Sequence, residues 1–163
     1  MAQTPEYLTT SKFYFELSGG AVGAMQLLPV KKVSGLSITV NPAGEGESSG
    51  VTKGSISDVQ TTVAGVSTNN VTLEFNADPR NDVLQRWFRS VHAPAKQGGG
   101  TEWASNRCEA SLVVYKLNNE EGARFNFVDA IPVNYTTTKL EAGSTELFGE
   151  SIEIYHAGLN RVK

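Results

Sequence analysis

The chain has a single cysteine, Cys108, so no internal disulfide can form and cysteine usage points to no oxidising compartment. A lone Cys at the start of a strand reads as a small buried hydrophobe rather than a nucleophile. Histidine is almost as scarce, with only His92 and His156. Neither stands at a ligand spacing such as H-x-x-x-H or C-x-x-C from the other or from Cys108, so no metal or cofactor site is expected. Basic runs are missing too. Lys and Arg number 14 against 17 Asp and Glu, and the net charge of −3 offers nothing to neutralise a phosphate backbone. No apolar run approaches the ~20 residues that cross a bilayer as a helix, so no membrane anchor is expected. The opening stretch MAQTPEYLTTSKFYFEL has no basic segment followed by an apolar one. It does not read as a signal peptide, and assembly in the cytoplasm is the expectation.

What the chain does have is alternation. Phe13, Phe15 and Leu17 alternate with Tyr14, Glu16 and Ser18, the period of a half-buried strand. A second strand is expected from about Met25 through Leu36, Ile38 and Val40, interrupted at Pro29 and Gly35. Val71, Leu73 and Phe75 form another, and Cys108–Leu117 a fourth. Asn118–Gly122 reads as a turn with Gly122 at positive φ. Phe125 and Phe127 begin a return strand, Ile131, Val133 and Tyr135 continue the pattern past Pro132, and Ser151–His156 is the last strand.

One segment has a different period. In DPRNDVLQRWFRSVH, from Asp78 to His92, Val83, Leu84, Trp87, Phe88 and Val91 fall on one helical face, while Arg80, Gln85, Arg86 and Arg89 fall mostly opposite. Asp78 can cap this helix and Pro79 suits its first position. A mainly β, small antiparallel barrel or sandwich with one flanking α-helix is therefore expected, as a single domain with a polar arm over about residues 1–10. Repeated βαβ units are excluded.

Asn41–Ser57 has almost no large apolar side chain and is rich in glycine, so it cannot add to a core. Loops of this length are usually functional or disordered. Val59, Thr61 and Val63 alternate after it, which makes it the tip of a long protruding hairpin. PAKQGGGTE after the helix is a second loop.

Three catalytic patterns fail on context. Gly46-Glu47-Ser48-Ser49-Gly50 matches G-x-S-x-G, but a nucleophile elbow needs a buried strand before the Ser and a helix after it. Lys53-Gly54-Ser55 has phosphate-loop residues in the wrong order and enters a strand. The pairs Glu45/Glu47 and Glu120/Glu121 sit in solvated turns, where nothing raises a carboxyl pKa. No catalytic residue is expected, and the remaining feature is surface. A β domain with open edges and long polar loops suits an assembly subunit, since ring closure removes exposed edges. The competing readings are a monomeric β-barrel that binds a small ligand under the 41–57 loop, and a hydrolase using Ser48 with His156.

The order of features resembles the tail tube, or inner tube, proteins of contractile phage tails and bacterial contractile injection systems. It is carried by FYFEL, by LLPVKKVSGL and the glycine-rich loop, by VTLEFNADPRNDVLQRWF with Leu84 and Trp87, by EASLVVYKLNNEEG, by FNFVDAIPVNY, and by ELFGESIEIYHAGL, across about residues 12–160. The resemblance implies a structural, non-enzymatic subunit forming hexameric rings that stack into a hollow tube inside a contractile sheath. It implies as partners other copies of the chain, the sheath, the baseplate and spike, and a tube terminator, with luminal protein cargo or, in a virus, passing DNA. The particle would be a virion tail or an injection device. Its long hairpin maps onto about Val33–Val63, with Asn41, Gly44, Glu45, Gly46, Glu47, Ser48 and Lys53 in the loop that contacts the lumen and the next ring. Val83, Leu84, Trp87, Phe88 and Val91 would face the core, and Arg80, Arg86 and Arg89 the outside. A main tube protein and a baseplate-proximal subunit both fit.

Overall fold

The computed structural model describes residues 7–44, 48–52, 56–59, 62–92 and 102–163. Among them are twelve strands and one helix. In order these are β1 (Phe13–Gly19), β2 (Gly23–Leu28), β3 (Lys32–Ser34), β4 (Ile38–Ala43), β5 (Ser48–Thr52), β6 (Ile56–Val59), β7 (Thr62–Thr68), β8 (Val71–Asn76), α1 (Val83–Val91), β9 (Cys108–Tyr115), β10 (Glu121–Thr137), β11 (Gly149–Tyr155) and β12 (Gly158–Arg161). The chain divides into two units, one formed by the residues up to Leu36 with Asn70–Lys163, the other by Ser37–Asn69.

The first unit is one antiparallel system in the order β2-β1-β9-β10-β11-β8-β3, with β12 also on β10. Its register brings the alternating apolar residues together: Phe15 lies opposite Leu112, and Leu112 opposite Phe125, while Leu73 lies opposite Ile152. Phe15, Leu17, Leu73, Leu112, Phe127, Ile152 and Ile154 share a core with the buried face of α1. The 17-residue β10 joins the two stretches expected around Phe127 and Tyr135. Its first part pairs with β9 and β12, its last part with β11. The register slips between Phe127 and Ala130, where Asp129 takes φ 52 and bonds Arg107 at 3.1 Å, and again between Pro132 and Asn134. Such bulges bend a strand.

Several expectations change, among them the Asn41–Ser57 stretch expected as a loop, which holds the end of β4, all of β5 and the start of β6 because backbone ladder bonds need no large apolar side chains. The strand expected from Met25 to Val40 is three separate strands, because Gly35 turns at φ 89 against the carbonyl of Asn70, leaving no room for a Cβ. The helix begins at Val83, since Asp78–Asn81 closes its own turn (Asn81 N–H to Asp78 O, 2.9 Å) and Asn81 Oδ1 accepts the Val83 N–H at 3.1 Å. In the 118–122 turn it is Asn119 that takes positive φ, at 65°; a Cβ on Gly122 would displace the Leu8 side chain and crowd Lys116. Finally, β12 is an addition, a short polar strand that pairs Leu159 with Phe127.

The second unit consists of two two-stranded ladders, β4 with β7 and β5 with β6. Ile38 pairs with Thr68, Val40 with Val66 and Ser48 with Val59. The buried hydrophobic side chains Phe15, Leu17, Leu73, Trp87 and Ile152, with the rest of the core, belong to the first unit.

Candidate functional site

The β4–β7 ribbon exposes an apolar face. Residues directly opposite on antiparallel strands point to the same side. Ile38, Val40, Val66 and Thr68 therefore form one face, and the three aliphatic side chains are half or more exposed. Neither ribbon strand, ITVNPA or TVAGVST, carries a charge. Asn41 is exposed and pairs with Gly65, and Gly44 leaves the ribbon at φ 75. Ser48 opens β5, which pairs with β6, so no helix follows it as an elbow needs. Glu45, Gly46, Glu47 and Lys53 lie outside the described residues, as does most of PAKQGGGTE.

In α1, Val83, Leu84, Trp87 and Val91 are buried and Phe88 half-buried, its ring 4.6 Å from His92 and 6.0 Å from Tyr135. Trp87 Nε1 reaches the carbonyl of Asn106 at 3.4 Å, and Asn106 Nδ2 donates to Ser90 O at 3.1 Å, tying the segment before β9 across the helix. His92 Nε2 lies 2.7 Å from the Pro132 carbonyl, which places a proton on that nitrogen. Arg80 and Arg86 are exposed and bonded to Asp78 and Asp82 at 3.3 and 3.9 Å, and Arg89 is exposed as well.

A polar cluster that strand alternation alone does not show lies on the other face of β1, β9 and β10. Arg124 Nη1 donates to Glu16 Oε2 at 2.5 Å, its Nε donates to Glu121 Oε1 at 2.9 Å, and Tyr14 Oη donates to Glu16 Oε1 at 2.6 Å. Arg124 holds the Glu16 carboxyl below the usual carboxylate range, with Tyr14 helping. The same bond raises the pKa of Tyr14. The cluster is internally paired, which makes it a structural pin across three strands. Cys108 is buried, its Sγ 3.2 Å from the Gly19 carbonyl, and burial pushes the thiol up to about 11, which makes it a poor nucleophile. His156 is buried edge-on to Phe127 at 5.2 Å.

Two further surfaces stand out. The loop from Lys139 to Phe148 has its neck closed by reciprocal bonds between Thr138 and Gly149 at 3.0 Å. It presents Leu140 and Leu147, 79% and 73% exposed. An open cleft of about 390 Å³ is lined by Leu8, Phe13, Val33, Leu36, Leu112 and Val114, with Lys31 and Lys32. No group of three His, Cys, Asp or Glu that could hold a metal is found among the described residues.

The family model of the T4-like virus tail tube protein gp19 matches residues 9–160. No curated protein is matched by sequence. Among solved structures, the fold is similar to a chain in the anti-feeding prophage baseplate, with a TM-score of 0.74 at 13% identity over 99% of this chain and 97% of that one. A chain in the sheath/tube terminator of the extracellular contractile injection system PVC gives 0.73 at 15% identity, covering both chains fully. One in the PVC sheath-tube complex gives 0.69 at 17%, over 95% of this chain and 90% of that one. At these identities the likeness is one of fold.

Proposed function

The chain belongs to the family of the T4-like virus tail tube protein gp19, and from that premise we propose that it is a structural subunit whose hexameric rings stack into a hollow tube within a contractile sheath. The observation that carries the proposal is the β4–β7 ribbon of the Ser37–Asn69 unit, two uncharged strands with exposed Ile38, Val40 and Val66. A two-stranded ladder is marginal by itself in water. It gains stability by covering its apolar face, and in a self-assembling family the obvious cover is another subunit.

In this reading the chain is one tail-tube domain with a long hairpin. The hairpin loop, with Asn41, Gly44–Ser48 and Lys53, meets the lumen and the neighbouring ring. Arg80, Arg86 and Arg89 face outward, towards the sheath. The baseplate, the tube terminator and luminal cargo or DNA complete the partners, the particle is a phage tail or an injection device assembled in the cytoplasm, and no catalysis is involved. Negative-stain electron microscopy with light scattering on the purified protein tests the proposal. Six-fold rings or stacked tubes support it, and a monomer that stays monomeric in the presence of its baseplate refutes it. The apolar cleft beside Phe13 favours the second reading, a small-ligand module; saturable binding of a fluorescent apolar probe by a persistent monomer would support that instead.

A further inference from the structure

We propose that the Lys139–Phe148 loop of one copy seats Leu140 and Leu147 in the apolar cleft beside Phe13 of the next copy, a head-to-tail contact between two surfaces of the first unit. The inference rests on the tube reading and adds to it a matched pair of surfaces, neither of which belongs to the Ser37–Asn69 unit.

The two surfaces are complementary in polarity and in charge. Phe13, Val33, Leu36 and Leu112 give the cleft apolar walls, Lys31 and Lys32 stand among its lining residues, and no acid does. At about 390 Å³ it falls in the range of pockets that bury whole apolar groups. Lys32 is bonded to Glu74 at 3.0 Å, but Lys31 is exposed and has no ion-pair partner among the described residues. The loop, KLEAGSTELF, carries the opposite set. Leu140 and Leu147 are exposed aliphatics. Glu141 is bonded to Lys139 at 3.7 Å, whereas Glu146 is exposed with no ion-pair partner among the described residues. Each surface therefore sets aliphatic side chains beside one uncompensated charge, and the two charges are of opposite sign. Such pairing fixes register and rejects wrong partners.

The loop does not cover the cleft of its own chain. β3, which carries Lys32 and Val33 in the cleft wall, ends the ladder β10-β11-β8-β3, while the loop joins β10 to β11 on the other side. Two strand spacings, about 10 Å, separate β3 from β11. The loop is also held in place. Its Thr138–Gly149 neck is bonded in both directions, the Ser144 N–H reaches Glu141 O at 3.1 Å, and the Glu146 N–H reaches Ser144 Oγ at 3.2 Å. Holding a loop in one conformation lowers the entropic cost of docking it. Two different surfaces of one chain that fit each other join copies head to tail, the kind of contact from which rings and filaments alike are built.

The buried, high-pKa Cys108 leaves a silent background for thiol cross-linking. One test is Leu36→Cys combined with Leu147→Cys, treated after assembly with a short bismaleimide. The expected result is a ladder of covalent oligomers past the dimer on a denaturing gel, with nothing larger than a dimer from either single variant. The second test is charge reversal. Lys31→Glu and Glu146→Lys are each expected to keep the wild-type melting temperature and to lower the yield of assembled protein about tenfold; the two together are expected to restore it. Assembled double-cysteine protein that gives only monomer or dimer overturns the contact and leaves the tube reading standing. A charge-reversed pair that assembles no better than either single variant does the same. Wild-type protein that makes neither rings nor tubes, even with its baseplate, overturns both.

Discussion

The two units of this chain are made of the same secondary structure and hold it by different means. In the first, the apolar side of each strand closes on a shared core and on α1; Phe15, Leu17, Trp87 and Ile152 are fully removed from solvent. In the second, β4–β7 keeps its ladder bonds while Ile38, Val40 and Val66 stay half or more in water. Hydrogen bonding alone contributes little net stability, since water offers the unfolded chain the same bonds. The lesson is a division of labour. Changes in the first unit should alter stability of the subunit, and changes in the second should alter association and leave the subunit's melting almost untouched.

The sharpest way to break that contrast is at Trp87. Trp87→Ala removes the largest fully buried side chain and should cost about 3–5 kcal/mol; urea denaturation measures it, and an unchanged midpoint would mean that α1 is not part of the core. Next is Arg124→Met, which strands Glu16 in a nearly buried site and should cost about 1–3 kcal/mol. The sign with pH follows from the lowered Glu16 pKa. The stabilisation is fully present above the unfolded carboxyl value of 4.5 and is lost as pH falls through the folded value. Wild-type stability should therefore fall on acidification below that value, and Arg124→Met should flatten the fall. Third, Asp129→Val forces a β-branched residue into positive φ and should cost about 1–2 kcal/mol, whereas Asp129→Gly trades that strain against a half-exposed ion pair and should stay near wild type. The smallest effect on stability is expected from Val40→Asp, within ~0.5 kcal/mol of wild type by thermal melting, yet the same variant should lose tubes in electron micrographs. A large drop in its melting temperature would erase the distinction between the units.

Much of this contrast can be read without coordinates. Strand alternation in FYFEL and VTLEF marks the inward residues, the spacing of Val83, Leu84, Trp87 and Val91 marks the buried side of α1, and the lack of large apolar residues from Asn41 to Ser57 marks a region without a core. What stays hidden depends on partners far apart in sequence. Glu16 and Arg124 are separated by 108 residues and meet only because β9 sits between their strands in a particular register. Gly122 lies against Leu8, more than a hundred residues away in sequence. The helix start is decided by the competing turn at Asp78–Asn81, and β12 by the edge that β10 offers beyond its bulge. The apolar ribbon face was masked in sequence by its surroundings of Thr, Ser and Gly, and only the β4–β7 register aligns Val40 with Val66.

The long strand β10 carries a mechanical consequence. Its 17 residues span about 55 Å of contour, bonded to β9 and β12 along one part and to β11 along the other. A push delivered to the β11–β8–β3 side therefore reaches β1 and β2 through covalent backbone and ladder bonds loaded in shear, the orientation in which many bonds must fail together. A subunit wired in this way resists being telescoped along its strands far better than one whose two halves merely rest on each other.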